Sequence, residues 1–278
     1  MEESRREIKQ RVRETLESAQ VSPKAMTALY LGLGILLGLL PNLGRGGILF
    51  AMFLPVLTTL LSMVLDAGFV LYCMTVRQGQ RAEYLVLFDG FELAVKIILL
   101  VIVRNIFIFF WSFLFVIPGI VASYRYSFAL YNLLENPDLG VMEALSMSKR
   151  QTWGWKGQLF LLDLSYLPWM LLAGIPQYIY NGAIQSQIRA RLGDIVVYGA
   201  GNYANLWWDA LESVNGSALG FSAMQWGLII GVWALAVGIF YLAHYQCVIL
   251  EYFEAAKRTC GVGEGAAPWD REDFYQQP

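Results

Sequence analysis

The chain has 278 residues, 57% of them apolar and 15% charged, with a positive mean hydropathy. An ordinary soluble domain is about 45–50% apolar and about 25% charged, so the composition excludes water-soluble domains and points to one polytopic membrane bundle. Twenty basic against 22 acidic residues leave a net charge of -2, with no basic run long enough to follow a phosphate backbone, which excludes nucleic acid as a partner. The three cysteines, Cys73, Cys247 and Cys260, contain no CxxC pair and suggest neither a disulfide framework nor a zinc cage.

Residues 1–24 are strongly charged, with Ile8, Val12 and Leu16 at four-residue intervals, which predicts a cytosolic amphipathic surface helix resting on lipid headgroups. The apolar stretch after it has no small-residue cleavage site and reads as a retained anchor. Residues 25–250 form the predicted transmembrane domain of about six helices. The first span runs from Ala25 to Leu40, is ended by Pro41, and carries Gly34 and Gly38 as a GxxxG pair. In the next apolar block, Ile48 to Val76, Pro55 is expected to separate an interfacial turn from the second crossing. A third span from Leu93 to Ile117 reverses at Pro118-Gly119 into a fourth, Ile120 to Leu134.

Asn136, Pro137 and Asp138 stop that helix, and Val141 to Arg150 reads as a second amphipathic helix at the membrane surface, with Glu143 in its first turn. The fifth span covers Leu159 to Tyr180, with Pro168 and Pro176 as expected kinks, and the sixth covers Trp226 to Leu250. Between them lies an expected external loop, 182–224, containing Trp207 and Trp208. Residues 251–278 form a cytosolic tail that is Gly-rich, acidic and expected to be disordered after Gly261.

Lys and Arg decide the orientation. With the amino terminus inside, the inner segments collect Arg5, Arg6, Lys9, Arg11, Arg13 and Lys24, then Arg77, Arg81 and Lys96, then Lys149, Arg150 and Lys156, and finally Lys257, Arg258 and Arg271. The outer segments hold Arg45, Arg189 and Arg191. Fifteen against three implies an even number of crossings and both termini in the cytosol.

The stretch IPGIVASYRYSFALYNLLENPDLGVMEALSMSK, followed by LFLLDLS, resembles the bacterial membrane-protein family catalogued as domain of unknown function 975. The resemblance rests on Ile117-Pro118-Gly119-Ile120, Tyr124 and Tyr126, Asn136-Pro137-Asp138, Glu143-Ala144-Leu145, Ser148-Lys149 and Leu162-Asp163-Leu164-Ser165. Upstream, Leu87-Phe88-Asp89-Gly90-Phe91 looks like the family's cytosolic loop motif, so the likeness covers roughly residues 80 to 170. It implies a multi-pass protein of the bacterial plasma membrane. Gly140 departs from the pattern, standing where members often place a Ser or Thr helix cap. More distantly, the proline-glycine hairpin and the Ala-Leu-Ser helix look like the membrane domain of glycerophosphodiester phosphodiesterases, a half that lacks the catalytic barrel.

Ionisable residues in hydrocarbon each cost about 2.5–3.5 kcal/mol unless paired or hydrated. Asp66, Arg104 and Arg125 fall on the order of 15 Å from the cytosolic face by the helical rise, and the expectation is an Asp66–Arg104 contact within a mid-membrane pocket that binds an anionic group. Asp163 and His244 lie shallower and are the candidate intramembrane polar pair. His244, Cys247 and Glu251 share one helix face, but no second His or Cys cluster completes a metal site. HExxH, GxSxG and P-loop motifs are all missing. The expected function is therefore non-enzymatic: transport, transport-accessory or lipid and anion binding, with membrane lipids and another membrane protein or transporter subunit as partners and no cofactor. A lipid-modifying enzyme using Asp163 and His244, and a structural partner-stabilising subunit, are the alternatives.

Overall fold

The computed structural model describes residues 5–43, 48–198 and 218–263. Within them the regular secondary structure is helical, apart from one isolated bridge between Ala218 and Phe221. In order come α1 (Arg5–Glu17), α2 (Pro23–Leu43), α3 (Ile48–Arg77), α4 (Val86–Asp89) with a 3-10 turn at Gly90–Leu93, α5 (Ala94–Leu114), α6 (Val116–Arg125), α7 (Ala129–Glu135), α8 (Val141–Gln151), α9 (Lys156–Tyr198) and α10 (Ala223–Cys260). Five stretches are long and apolar enough to cross a membrane: Pro23–Pro41, Met52–Arg77, Val86–Leu114, Lys156–Ala190 and Ala223–Cys260. An all-α bundle of membrane-crossing helices is what the composition predicts.

The expected boundaries need four corrections. Pro41 and Pro55 lie inside α2 and α3 rather than ending or dividing them, while Pro168 and Pro176 lie within a helical span, α9, as expected. The expected loop from residue 182 is also shortened, because α9 continues to Tyr198; Arg45, Trp207, Trp208 and the tail from residue 264 lie outside the described residues. The hairpin reverses at Phe115, which is extended, rather than at Pro118-Gly119. Pro118 instead occupies the first turn of α6, where a missing N–H costs nothing. Gly119 lets α6 close on α5, since a Cβ there would overlap Ser112.

The fourth correction concerns the predicted fourth crossing, which is broken into α6 and α7. The break is held from outside. Ser148 Oγ, on α8, accepts from the Phe128 amide at 3.1 Å and donates to the Arg125 carbonyl at 2.9 Å. Thr152 Oγ1 adds a second donor to that carbonyl at 3.2 Å. Backbone groups left over at a helix break thus find partners within the protein, as a low-dielectric setting demands.

The chain divides into two compact units. In the first (residues 1–30, 59–167 and 240–278), α5 packs against α6, α7 and α8. Leu87, Ile97, Leu100, Phe128, Leu133, Leu162, Tyr252 and Phe253 are fully buried. Each of the two amphipathic helices packs one face against the protein. On α1, Ile8 and Val12 are buried, and on α8, Ala144, Leu145, Met147, Ser148 and Gln151 are buried. Only half of the expected capping box survives on α8, with Glu143 Oε2 accepting from the Gly140 amide at 2.9 Å.

In the second unit (residues 31–58 and 168–239), Leu31, Ile35 and Leu39 of α2 meet Gly238, Gly231 and Gly227 of α10. A Cβ at these glycines would come within 2.6, 2.8 and 3.0 Å of the opposing side chains. The Gly227–Gly231 pair therefore makes a close helix contact, whereas a Cβ at Gly34 or Gly38 would meet nothing within 4 Å. Ser222 and Gln225 cap α10 reciprocally: the Gln225 amide donates to Ser222 Oγ, and the Ser222 amide to Gln225 Oε1.

Candidate functional site

The ionisable residues that the sequence singles out sit in the first unit, where tyrosines and main-chain groups take up the carboxylates and the histidine. Asp163 lies on α9 and Tyr245 on α10; the Tyr245 hydroxyl donates to Asp163 Oδ1 at 2.8 Å, and the Tyr124 hydroxyl of α6 donates to Oδ2 at 2.7 Å. Two hydroxyl donors stabilise this half-buried carboxylate without bringing in a second charge.

His244 belongs to a neighbouring network. Its Nε2 lies 3.0 Å from the Lys9 carbonyl, which can only accept, so Nε2 carries the proton. Nδ1 is then the acceptor for the Tyr166 hydroxyl at 2.5 Å. Lys9 closes the cluster, donating to Ser165 Oγ at 2.9 Å with its ammonium 4.5 Å from the Tyr166 ring centre. These contacts tie α1 to α9 and α10. Asp163 and His244, expected as a pair, are not bonded to each other. Consecutive residues on a helix point about 100° apart, so His244 and Tyr245 serve different partners.

Asp66 on α3 accepts from the Tyr30 hydroxyl of α2 at 2.6 Å, and the Tyr30 ring stacks on Phe69 with centres 4.6 Å apart. The expected Asp66–Arg104 ion pair does not form among the described residues. Arg104 on α5 and Arg125 at the end of α6 each bury the guanidinium Nε with no hydrogen-bond partner. The three residues of the expected mid-membrane pocket thus bond to different elements: Asp66 to α2, and Arg125, through its carbonyl, to α8. Nothing in these contacts brings the three together.

A further cluster involves charges that the sequence reading left unassigned. Lys257 donates to both oxygens of Glu135, at 2.9 and 2.8 Å, and to Glu254 at 3.1 Å. Arg77 pairs with Glu251 at 2.7 Å and Glu254 at 3.2 Å. Burial pushes the Glu135 carboxyl above the usual carboxylate range, against the pull of Lys257. Glu251 is thereby committed to Arg77, and Cys247 lies buried beside Cys73. Among the described residues no three His, Cys, Asp or Glu side chains gather as a metal site.

The tyrosine partners Tyr30, Tyr166 and Tyr245 escaped the sequence reading. The available signal was a hydroxyl-bearing ring inside an apolar span, which needs a partner when buried. Lys149 enters the sequence reading through the orientation count and the family motif, and Lys156 through the orientation count alone, although they flank the turn between α8 and α9.

Comparison with known proteins gives one match. A family model described as "Protein of unknown function (DUF975)" matches residues 113–257. That stretch contains α6 to α9 and most of α10, including Tyr124, Arg125, Asp163, His244 and Tyr245. The match does not extend to the phosphodiesterase membrane domain. No curated protein and no solved structure matches the chain.

Proposed function

The chain belongs to the DUF975 family, and we propose that it is a non-enzymatic membrane bundle that binds anionic lipid, acting as a transport-accessory or partner-binding subunit in the bacterial plasma membrane. One observation carries this reading: the carboxylates of Asp66 and Asp163 accept from tyrosines, whereas the buried Nε atoms of Arg104 and Arg125 have no acceptor. Surplus buried cationic donors are stabilised by an anion, and the planar guanidinium suits phosphate. The enzymatic alternative is less well supported. Asp163 and His244 each bond to other groups and not to one another, and both ring nitrogens of His244 are engaged, so the two do not form an acid–base pair.

Both termini on the cytosolic face belong to the same reading. Its support is that α1 and the carboxyl-terminal part of α10 pack in one unit, and that the Lys and Arg bias calls for an even number of crossings, which the five apolar helices reach with the broken α6–α7 leg as a sixth. The test compares binding of an anionic and a zwitterionic phospholipid to purified wild type, Arg104→Gln and Arg125→Gln. The reading requires wild type to prefer the anionic lipid and at least one variant to lose that preference. Equal binding of both lipids by wild type would overturn it.

A further inference from the structure

Helix α6 ends at Arg125, and its carbonyl is clamped by Ser148 and Thr152 near the end of α8. The last turn of α8 carries Lys149, whose side chain is exposed. A short turn follows, with Gly154 at φ +86°, and Lys156 opens α9. The bonds from Ser148 and Thr152 set the end of α6 beside Lys149 and the turn that leads to Lys156. Among the described residues none of these three cations has a carboxylate within ion-pair distance. Water can solvate two lysines, but it does not reach the buried Nε of Arg125. Three positive charges around one turn, one with a buried unsatisfied donor, call for an anion.

The surroundings favour a lipid over a free ion. Trp153 is 76% exposed on the turn, and the Lys156 ammonium lies 5.5 Å from its ring centre. Lys156 also begins a stretch long and apolar enough to cross a membrane, and an exposed tryptophan at such a boundary belongs at the headgroup level. Down the same face of α9, at four-residue intervals from Lys156, Phe160 and Leu164 are both about half exposed.

We propose that Arg125, Lys149 and Lys156 together bind the phosphate of an anionic phospholipid, with Trp153 beside the headgroup and an acyl chain along Phe160 and Leu164. This rests on the lipid-binding reading above and gives it an address. The set is suited to the task because Arg125 supplies a planar guanidinium whose Nε is buried, while the two lysines supply point charges on flexible stems.

The experiment measures binding of dioctanoyl phosphatidylglycerol, dioctanoyl phosphatidylcholine and inorganic phosphate to the purified full chain in neutral detergent. Lys149→Gln/Lys156→Gln should weaken phosphatidylglycerol binding about thirtyfold, the product of two surface cations at anionic lipid. The Lys149→Arg/Lys156→Arg variant should retain binding, and Trp153→Leu should weaken it. Should the double glutamine variant fail to fold, Lys149→Gln alone, at an exposed side chain, should show about a fivefold loss. A phosphatidylglycerol preference that survives the lysine changes overturns the address and leaves the broader reading standing. Wild type binding phosphatidylglycerol no better than phosphatidylcholine overturns both. Competition by inorganic phosphate with the same lysine dependence would assign the site to a free anion and overturn the lipid source.

Discussion

Trp233 donates its indole N–H to the Leu172 carbonyl at 2.8 Å. Leu172 stands four residues before Pro176, so its carbonyl is the one that the proline leaves without a helical donor. A side chain of α10 thus repairs a backbone defect in α9, which lets the helix continue through a proline. Trp233→Phe should destabilise the protein by about 1 kcal/mol by leaving that acceptor unpaired, with added loss from packing. Pro176→Ala restores the helical donor and should make the indole bond redundant. A double-mutant cycle by thermal unfolding in detergent should therefore show coupling, and strict additivity would argue against the repair.

The glycine contacts of α10 make a sharper comparison. Gly231→Val inserts branched carbon where Ile35 already lies 2.8 Å from a Cβ position, while Gly34→Val meets open space. The first change should cost about 1–3 kcal/mol by overpacking. The second should leave the stability within about 0.5 kcal/mol of wild type, as substitutions away from packed features do. Equal effects at both positions would contradict the packing described.

Lys257 holds Glu135 and Glu254 together from within α10. Lys257→Met leaves two carboxylates facing each other, with Glu254 still paired to Arg77. The loss should be about 2 kcal/mol, below the 3–5 of a fully buried pair because the Glu135 side chain keeps 28% exposure. Lys257→Met/Glu135→Leu should recover part of it. Chemical denaturation of the two variants would measure the difference, and no recovery would mean that Lys257 acts mainly through its packing on Phe253, whose ring centre lies 4.8 Å from the ammonium.

The topology has its own test. Reporter fusions after residue 140 should read cytosolic and fusions at Asn215 external, following the fifteen-to-three bias of Lys and Arg. A cytosolic signal at Asn215 would remove the six-passage arrangement.

Asn132 and Gln151 illustrate what lay beyond the sequence reading. Their amides exchange two hydrogen bonds of 2.8 Å while both residues are buried. Asn132→Ala should cost about 1–3 kcal/mol by stranding the Gln151 amide, measurable by thermal unfolding. Neither residue stood out in sequence, because an amide among apolar neighbours does not announce its partner.

The sequence by itself determined the membrane class, the helical fold and the approximate order of the apolar helices, because hydropathy and run length are local properties summed over about 20 residues. It also marked Asp66, Arg104, Arg125, Asp163 and His244, since a charge in an apolar run is conspicuous wherever the run ends up. Tertiary structure alone decided the partners. Asp66 bonds to Tyr30 rather than Arg104, and Asp163 to Tyr124 and Tyr245 rather than His244, because rotation of one helix against another selects which faces meet. It also decided where helices break. The α6–α7 gap is satisfied by Ser148, 20 residues beyond Phe128, while Pro176 leaves α9 unbroken with Trp233 at hand. In hydrocarbon a freed backbone group persists only where a distant side chain can reach it, and that reach is a property of packing that no local pattern encodes.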